Sequence, residues 1–248
     1  MPAWLPRPLP ENQDLAFAGE SPCPSAQITP AEARTILAAH NPTGRPNADV
    51  VRRLVGCQNG RRNEHIQLDF PHYFSTQEAA LYIKPFSKLT RNEIPAWHNP
   101  NAKVGMRTAL AKLERYLATP SDSGIPAWDW IESELLPDDT LLAVARDDDF
   151  SHGVLQSHTF LVWWRSWLPS LSSVEIVASF PFPWPPATTL SALTRAQEEH
   201  RLAIARAVRS GAQTSLDAAV IAAYGWPVAL SDDATMAELA ALHRRRDN

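Results

Sequence analysis

Proline sets the first limits on what this chain can fold into. It occurs 22 times in 248 residues, against only 9 glycines, where an average protein would carry about 5% proline. Each proline holds its own φ near about −65° and removes a backbone donor, so it ends helices and interrupts sheet ladders. The connections are therefore expected to be stiff. The longest uncharged run, Ile176 to Thr194, contains Pro181, Pro183, Pro185 and Pro186, a density that no membrane-spanning helix tolerates. Nothing after Met1 reads as a signal peptide, because a basic arm, an apolar run and a small-residue cleavage site are all lacking. Cys23 and Cys57 show no pairing pattern, so a reduced, cytoplasmic setting is expected.

Prolines and helix caps also divide the chain. The opening segment has no periodicity and reads as an extended arm. Thr29-Pro30-Ala31-Glu32 is a capping box with proline at the first helical position, opening a helix that runs to about Ala39. The stretch Asn41-Pro42-Thr43-Gly44-Arg45-Pro46-Asn47-Ala48-Asp49 follows. Gly44 permits a tight turn there, and the flanking prolines stiffen it. Arg45 and Asn47 carry fork-shaped side chains that can grip a phosphate or a base edge. The other reading is a surface turn closed by its own Asn and Asp side chains. His65 to Phe70 alternates as a half-buried strand, and Ser75-Thr76-Gln77-Glu78 caps a helix that Pro85 stops.

Val104 to Leu117 is expected to be one helix, with Met106, Leu110, Leu113 and Leu117 on one stripe. Leu141–Ala145, Gly153–Leu155, Phe160–Trp164 and Val174–Ala178 read as successive strands, closed by the proline-rich stretch Phe180 to Pro186. Beyond it come helices over Leu190–Val208 and Leu216–Tyr224 and a last one capped by Ser231. These readings give an α+β fold, with a mixed or antiparallel sheet, flanking helices and a small all-α C-terminal subdomain. The expected units are an arm over 1–28, a recognition domain over 29–186 and a helical domain over 187–248.

The chemistry expected from local motifs is sparse. No two glycines stand two apart, so there is neither a dinucleotide-binding nor a Walker-type loop. Asp147-Asp148-Asp149 reads as a solvated turn, since consecutive side chains cannot converge on one ion. His152 and His158 make a poor zinc set without paired cysteines. No lysine follows Lys112, which removes the Glu-x-Lys pattern of a restriction-type nuclease. No G-x-S-x-G occurs either. Trp163, Trp164 and Trp167 read as core. Charge is more informative. The total is −4, yet residues 31–118 hold 13 Lys or Arg against 7 Asp or Glu, and residues 119–150 hold 1 against 9. A basic face is compatible with that distribution.

A family resemblance runs through these segments. It is carried by Glu11-Asn12, Leu15 to Gly19, Asn41 to Val50, Leu68-Asp69-Phe70, Glu78 to Tyr82 with Pro85-Phe86, and Met106 to Leu110. It continues through Tyr116 to Pro120, Leu136-Pro137-Asp138, Ala145 to Phe150, Gly153 to Ser157, Phe180 to Pro186, Ala218-Ala219-Val220 and Ala222 to Pro227. In this order they resemble the target-recognition and C-terminal regions of MmeI-type restriction-modification DNA adenine methyltransferases. The resemblance implies a sequence-specific reader of double-stranded DNA that serves phage defence. It implies no catalytic residue and no metal on this chain, with S-adenosylmethionine and the Asn-Pro-Pro-aromatic motif on a separate methyltransferase part. Two departures stand out. Ser121-Asp122-Ser123-Gly124 replaces a basic stretch, and Ser151-His152 follow Phe150 where the family has an aromatic and then glycine.

On that reading, Arg45, Arg52, Arg53, Arg61, Arg62, Lys103, Arg107 and Arg115 are expected to neutralise phosphates. Asn47, Asp122, Ser123, His152, Gln156, Ser157 and His158 are expected at base edges. The partners would be duplex DNA and a methyltransferase subunit encoded nearby, with no membrane. The alternative is a protein-interaction module, in which the tryptophan-rich sheet and alanine-rich helices dock a partner enzyme.

Overall fold

The computed structural model describes residues 4–41, 44–71, 98–99, 102–227 and 230–247. The expected helix from Ser75, with Lys84 and Lys88, lies outside them. In chain order the strands and helices begin with β1 (Ala16–Ala18), β2 (Gln27–Ile28), α1 (Pro30–Ala38), β3 (Val51–Gln58), β4 (Arg61–Leu68), β5 (Phe70–Pro71) and β6 (His98–Asn99). Next are α2 (Val104–Leu110), β7 (Arg115–Pro120), β8 (Asp129–Glu132), β9 (Leu135–Pro137) and β10 (Leu141–Val144). The rest is helical: α3 (Asp149–Gln156), α4 (His158–Trp167), α5 (Ser173–Ala178), α6 (Arg195–Ser210), α7 (Gln213–Tyr224) and α8 (Asp232–Arg246). The fold is α+β, with an all-helical C-terminal part.

Two four-stranded sheets and the helices make three layers. The middle sheet has the order β1-β10-β7-β8 and is antiparallel throughout. The outer sheet has the order β2-β4-β3-β9, with only β9 parallel to its neighbour. Alternation along the middle sheet sends side chains both ways. Tyr116, Ala118, Ile131, Leu141 and Ala143 pack with Val55 and Leu135 of the outer sheet and with Met106 and Leu110 of α2. Leu117, Leu142, Val144 and Trp130 pack on the other side with Val154, Phe160, Trp163, Trp164 and Ile204 of the helices. Phe180, Phe182 and Trp184 belong to that same helical-side core.

The chain passes from outer to middle sheet between β9 and β10, and Asp138 locks that step. Its carboxylate accepts from the backbone N–H and the hydroxyl of Thr140, and its own N–H donates to Val55 O at 2.8 Å. Gly19 and Gly56 lie against it so closely that a Cβ on either would overlap Asp138. Glycine is required at both places by close approach rather than by turn geometry.

Three sequence expectations need correction. The stretch expected as strands at Gly153–Leu155, Phe160–Trp164 and Val174–Ala178 is helical, as α3, α4 and α5. These helices are short, of 6 to 10 residues, and a short apolar run is ambiguous between helix and strand. Their N-caps Asp148, Ser157 and Ser172 bond the backbone N–H three residues on, and Ser172 with Glu175 forms a full capping box. The helix expected over Val104–Leu117 ends at Leu110, and Arg115 to Pro120 is a strand with Tyr116, Leu117, Ala118 and Thr119 all buried. Both faces of that strand are covered, which erases the alternation. Finally, α6 begins at Arg195 with a Thr194–Gln197 capping box, and Leu190–Ala192 before it is a separate 3-10 turn. By contrast, α1 has the expected capping box at Thr29, and α8 carries Asp232 and Asp233 in its first turn with Arg244, Arg245 and Arg246 in its last. Among the described residues, no helix is long and apolar enough to cross a membrane.

Candidate nucleic-acid interface

The arginine at the heart of the molecule is Arg107 on α2. Its Nε and Nη2 donate to Glu20 at 2.6 and 2.5 Å, and its Nη1 donates to Asp69 at 2.5 Å. Both carboxylates are fully buried and the guanidinium is 12% exposed. Burial works against its charge, but Glu20 and Asp69 outweigh burial and raise its pKa. Lys103 joins the same knot: its backbone N–H donates to Glu20 at 2.7 Å, and its Nζ donates to Ala18 O and Gly19 O at 2.9 Å each. Arg52 reaches the knot from β3, with Nε 3.9 Å from Asp69. These three cations tie the end of β1 to α2 and to the end of β4, so their polar atoms face protein.

The β3–β4 hairpin carries the next group. Asn59 and Gly60 at its tip have φ of 53° and 71°, the pair of positive values a two-residue turn of the I′ type needs. The register sets Gln58 opposite Arg61, Cys57 opposite Arg62 and Arg53 opposite Ile66. Opposed residues share a face in an antiparallel pair. Arg53 and Arg62 therefore lie on one face, and Arg52 and Arg61 lie on the other. Glu64 sits between the first two, at 2.9 Å from Arg53 and 3.0 Å from Arg62, and Glu132 of β8 is 3.6 Å from Arg62. Among the described residues, Arg61 forms no ion pair. Nor does Arg45, which is exposed beside Gly44 (φ 77°) on a cleft of about 440 Å³ lined by Leu37, His40, Asn41, Arg45 and Asn47. Asn47 serves the fold: its Nδ2 donates to Ile36 O and Ala39 O at 2.8 and 2.9 Å, closing the end of α1.

A second neighbourhood lies between the middle sheet and the helices. The Arg115 guanidinium stands 3.9 Å over the Trp130 ring, and His152 packs edge-on to that ring at 5.1 Å. Asp149 lies 3.8 Å from Arg115 and 2.9 Å from Arg209 of α6. Burial lowers the pKa of His152. Ser157 is buried as the cap of α4, its hydroxyl donating to Val154 O at 2.7 Å. His158 is tied to the helices, through its N–H to Asp217 and its ring to Asp232, both at 2.8 Å. Gln156 is exposed, and among the described residues its side-chain amide has no polar partner.

The loop after β7 is held firmly. Ser173 donates to Ser121 O at 2.6 Å, Trp164 Nε1 donates to Ser123 O at 3.3 Å, and the Ser123 hydroxyl donates to Ile125 O. Asp122 and Ile125 (57% exposed) project from it. The structure thus distributes the fifteen expected residues over five places. Sequence reasoning missed Glu20, Asp69 and Asp138, the buried acids that fix the cations and the strands. Glu20 and Arg107 stand 87 positions apart, so no local pattern could pair them. The tryptophans of the alternative docking reading are buried: Trp163 and Trp164 are 0% exposed and lie on α4, not on a sheet.

No protein-family model and no curated protein matches the chain. Among solved structures, the chain shares its fold with the type IIL restriction-modification enzyme MmeI in complex with DNA. The TM-score is 0.53 at 16% sequence identity, over 99% of this chain and 36% of that one. The chain therefore spans about a third of that enzyme's length, and the likeness is one of fold.

Proposed function

We propose that this chain reads double-stranded DNA as the specificity part of a restriction-modification methyltransferase system. The observation that carries the reading is that nearly all of the chain shares its fold with about a third of an enzyme solved in complex with DNA. The distribution of cations supports it. Arg45, on the loop after α1, and Arg61, on the outer-sheet hairpin, are exposed and form no ion pair among the described residues, and guanidinium groups left free in this way can meet phosphates or base edges. Arg107, Lys103 and Arg52 hold the scaffold that presents them. Asp122 and Gln156 remain base-edge candidates on firmly held backbone. Methyl transfer would fall to a partner domain or subunit that binds S-adenosylmethionine, in a cytoplasmic setting where duplex DNA is within reach.

The test is fluorescence anisotropy of a labelled random-sequence duplex across a salt series, with the chain alone and with a methyltransferase subunit. Binding should weaken as salt rises, with a log–log slope of about −0.9 per phosphate neutralised. Undetectable binding, or binding indifferent to salt in both settings, would remove the proposal. Arg45→Ala should weaken every duplex alike, because a phosphate contact carries no sequence information.

A further inference from the structure

Among the described residues, one section of the outer-sheet hairpin has no strand paired to it on either edge. Strand β9 pairs with β3 only at Arg53, Leu54 and Val55, and β2 pairs with β4 only at Ile66 and Gln67. Thr140 bonds the N–H of Cys57 at 2.8 Å and is the last anchor on the β3 edge. Beyond it, Gln58 to Glu64 are seven consecutive exposed residues, a bare two-stranded ribbon turned by Asn59-Gly60. Two paired strands about 4.8 Å apart fit a major groove about 12 Å wide, which admits a β-ribbon as readily as a helix.

The ribbon's two faces differ in chemistry. On one, Arg62 is neutralised by Glu64 and Glu132. On the other, Gln58 and Arg61 stand opposite each other with Asn63 next along the same face, and among the described residues none of their side chains has a polar partner. These three are the side-chain types that bond purine edges at two points, arginine with guanine and glutamine or asparagine with adenine. We propose that the tip of the β3–β4 hairpin enters the major groove and reads purines through Gln58, Arg61 and Asn63. This rests on the DNA-reading function above and assigns its base-reading element to the outer sheet.

The experiment selects duplexes from a randomised library with the full chain, wild type and variant, followed by anisotropy on the selected and on scrambled duplexes. Arg61→Lys keeps the charge but loses the fork. It should lose about 5- to 150-fold in affinity for the selected duplex, the equivalent of one two-point base contact, with an unchanged salt slope and little change on scrambled DNA. Gln58→Ala and Asn63→Ala should each relax selection at an adenine. Thermal melts check that these exposed-tip variants remain folded. If the wild type selects a motif and the triple variant Gln58→Ala, Arg61→Lys, Asn63→Ala selects the same one with equal affinity, the ribbon is not the reader. If the wild type binds duplex with salt dependence but selects no motif, the ribbon is likewise rejected as a base reader. If it binds no duplex at all, the functional reading fails first.

Discussion

Arg246 at the end of α8 donates to Glu11 at 2.8 Å and to Phe182 O and Pro183 O at 2.7 and 3.1 Å. In the same helical layer, Arg201 is bound to Glu198 at 2.6 and 2.8 Å, and Arg209 is bound to Asp149 at 2.9 Å. The outer-sheet ribbon treats the same side chain differently. Arg61 reaches out from a two-stranded tip with no polar partner among the described residues. A guanidinium engaged by carboxylates and carbonyls gives the fold its register, while an unengaged one costs the fold nothing and stays available to a ligand. Which arginines are free to meet a ligand is therefore decided by what the fold leaves unpaired. The number of arginines a segment carries does not decide it.

The largest expected contrast sets Arg107 against Arg61. Arg107→Ala would strand the buried carboxylates of Glu20 and Asp69 without their counter-charge, and breaking a buried pair from one side costs about 3–5 kcal/mol. Arg61→Ala should stay within about 0.5 kcal/mol. Urea unfolding followed by tryptophan fluorescence would measure both. The comparison sharpens with Glu20→Gln, Asp69→Asn, Arg107→Met, a neutral set that should recover part of the loss. Equal stability of the two single variants would break it.

Next in size is a packing contrast inside the helical layer. Gly153 of α3 faces α6 so closely that a Cβ would lie 2.9 Å from a Val208 methyl and closer still to one of Ile204. Gly153→Ala should regain about 1 kcal/mol of helix propensity, yet overpacking of stiff, β-branched neighbours costs about 1–3 kcal/mol. A net loss in melting temperature is expected. The same substitution at Gly124, which meets no atom within 4 Å, should show none.

These contrasts also explain what could be read before the fold was known. Thr29 and Ser231 announced α1 and α8 because caps are local. The same logic was available at Ser172-x-x-Glu175 and at Asp148, but the apolar runs behind them are short, and short apolar runs are ambiguous between helix and strand. Asn59-Gly60 is the strongest short hairpin signal there is. It lay between two strands that each read poorly, because Arg61 to Glu64 is polar on both faces. The charge blocks were legible as sequence and misleading as surface. Arg62 of the basic block meets Glu132 of the acidic one, and Arg115 meets Asp149, so the fold cancels much of the segregation. The likeness in fold to a restriction-modification enzyme was legible through motif order, whereas the Glu20–Arg107–Asp69 knot needs three distant segments at once.

A smaller effect separates the helical layer from the ribbon by pH. His243 on α8 is fully buried, its Nε2 lies 2.9 Å from Arg7 O, and its ring stacks near Trp163 and Trp4. Burial lowers the pKa of His243 and of His152. A folded-state pKa below the unfolded value of 6.5 means that the fold favours the neutral ring. That stability is complete above 6.5 and is lost as pH falls from there through the depressed folded value. Thermal melts from about pH 7.5 to 5.5 should show a falling midpoint, and His243→Gln should flatten part of the slope. Arg61→Ala, at the ribbon tip, should leave the slope unchanged.

The smallest difference is also the most direct probe of the opening comparison. Arg209 pairs with Asp149 but is 69% exposed, and an exposed pair of this kind contributes about 0–1 kcal/mol. Arg209→Ala and Arg61→Ala should therefore be nearly indistinguishable in stability. Their effects on DNA should diverge, because Asp149 already holds Arg209 while none of the described residues holds Arg61. Anisotropy on a selected duplex should show a large loss for Arg61→Ala and little for Arg209→Ala. Equal losses would mean that DNA can pull a paired guanidinium away from its carboxylate. In that case a free side chain would no longer be the mark of a reading residue in this fold.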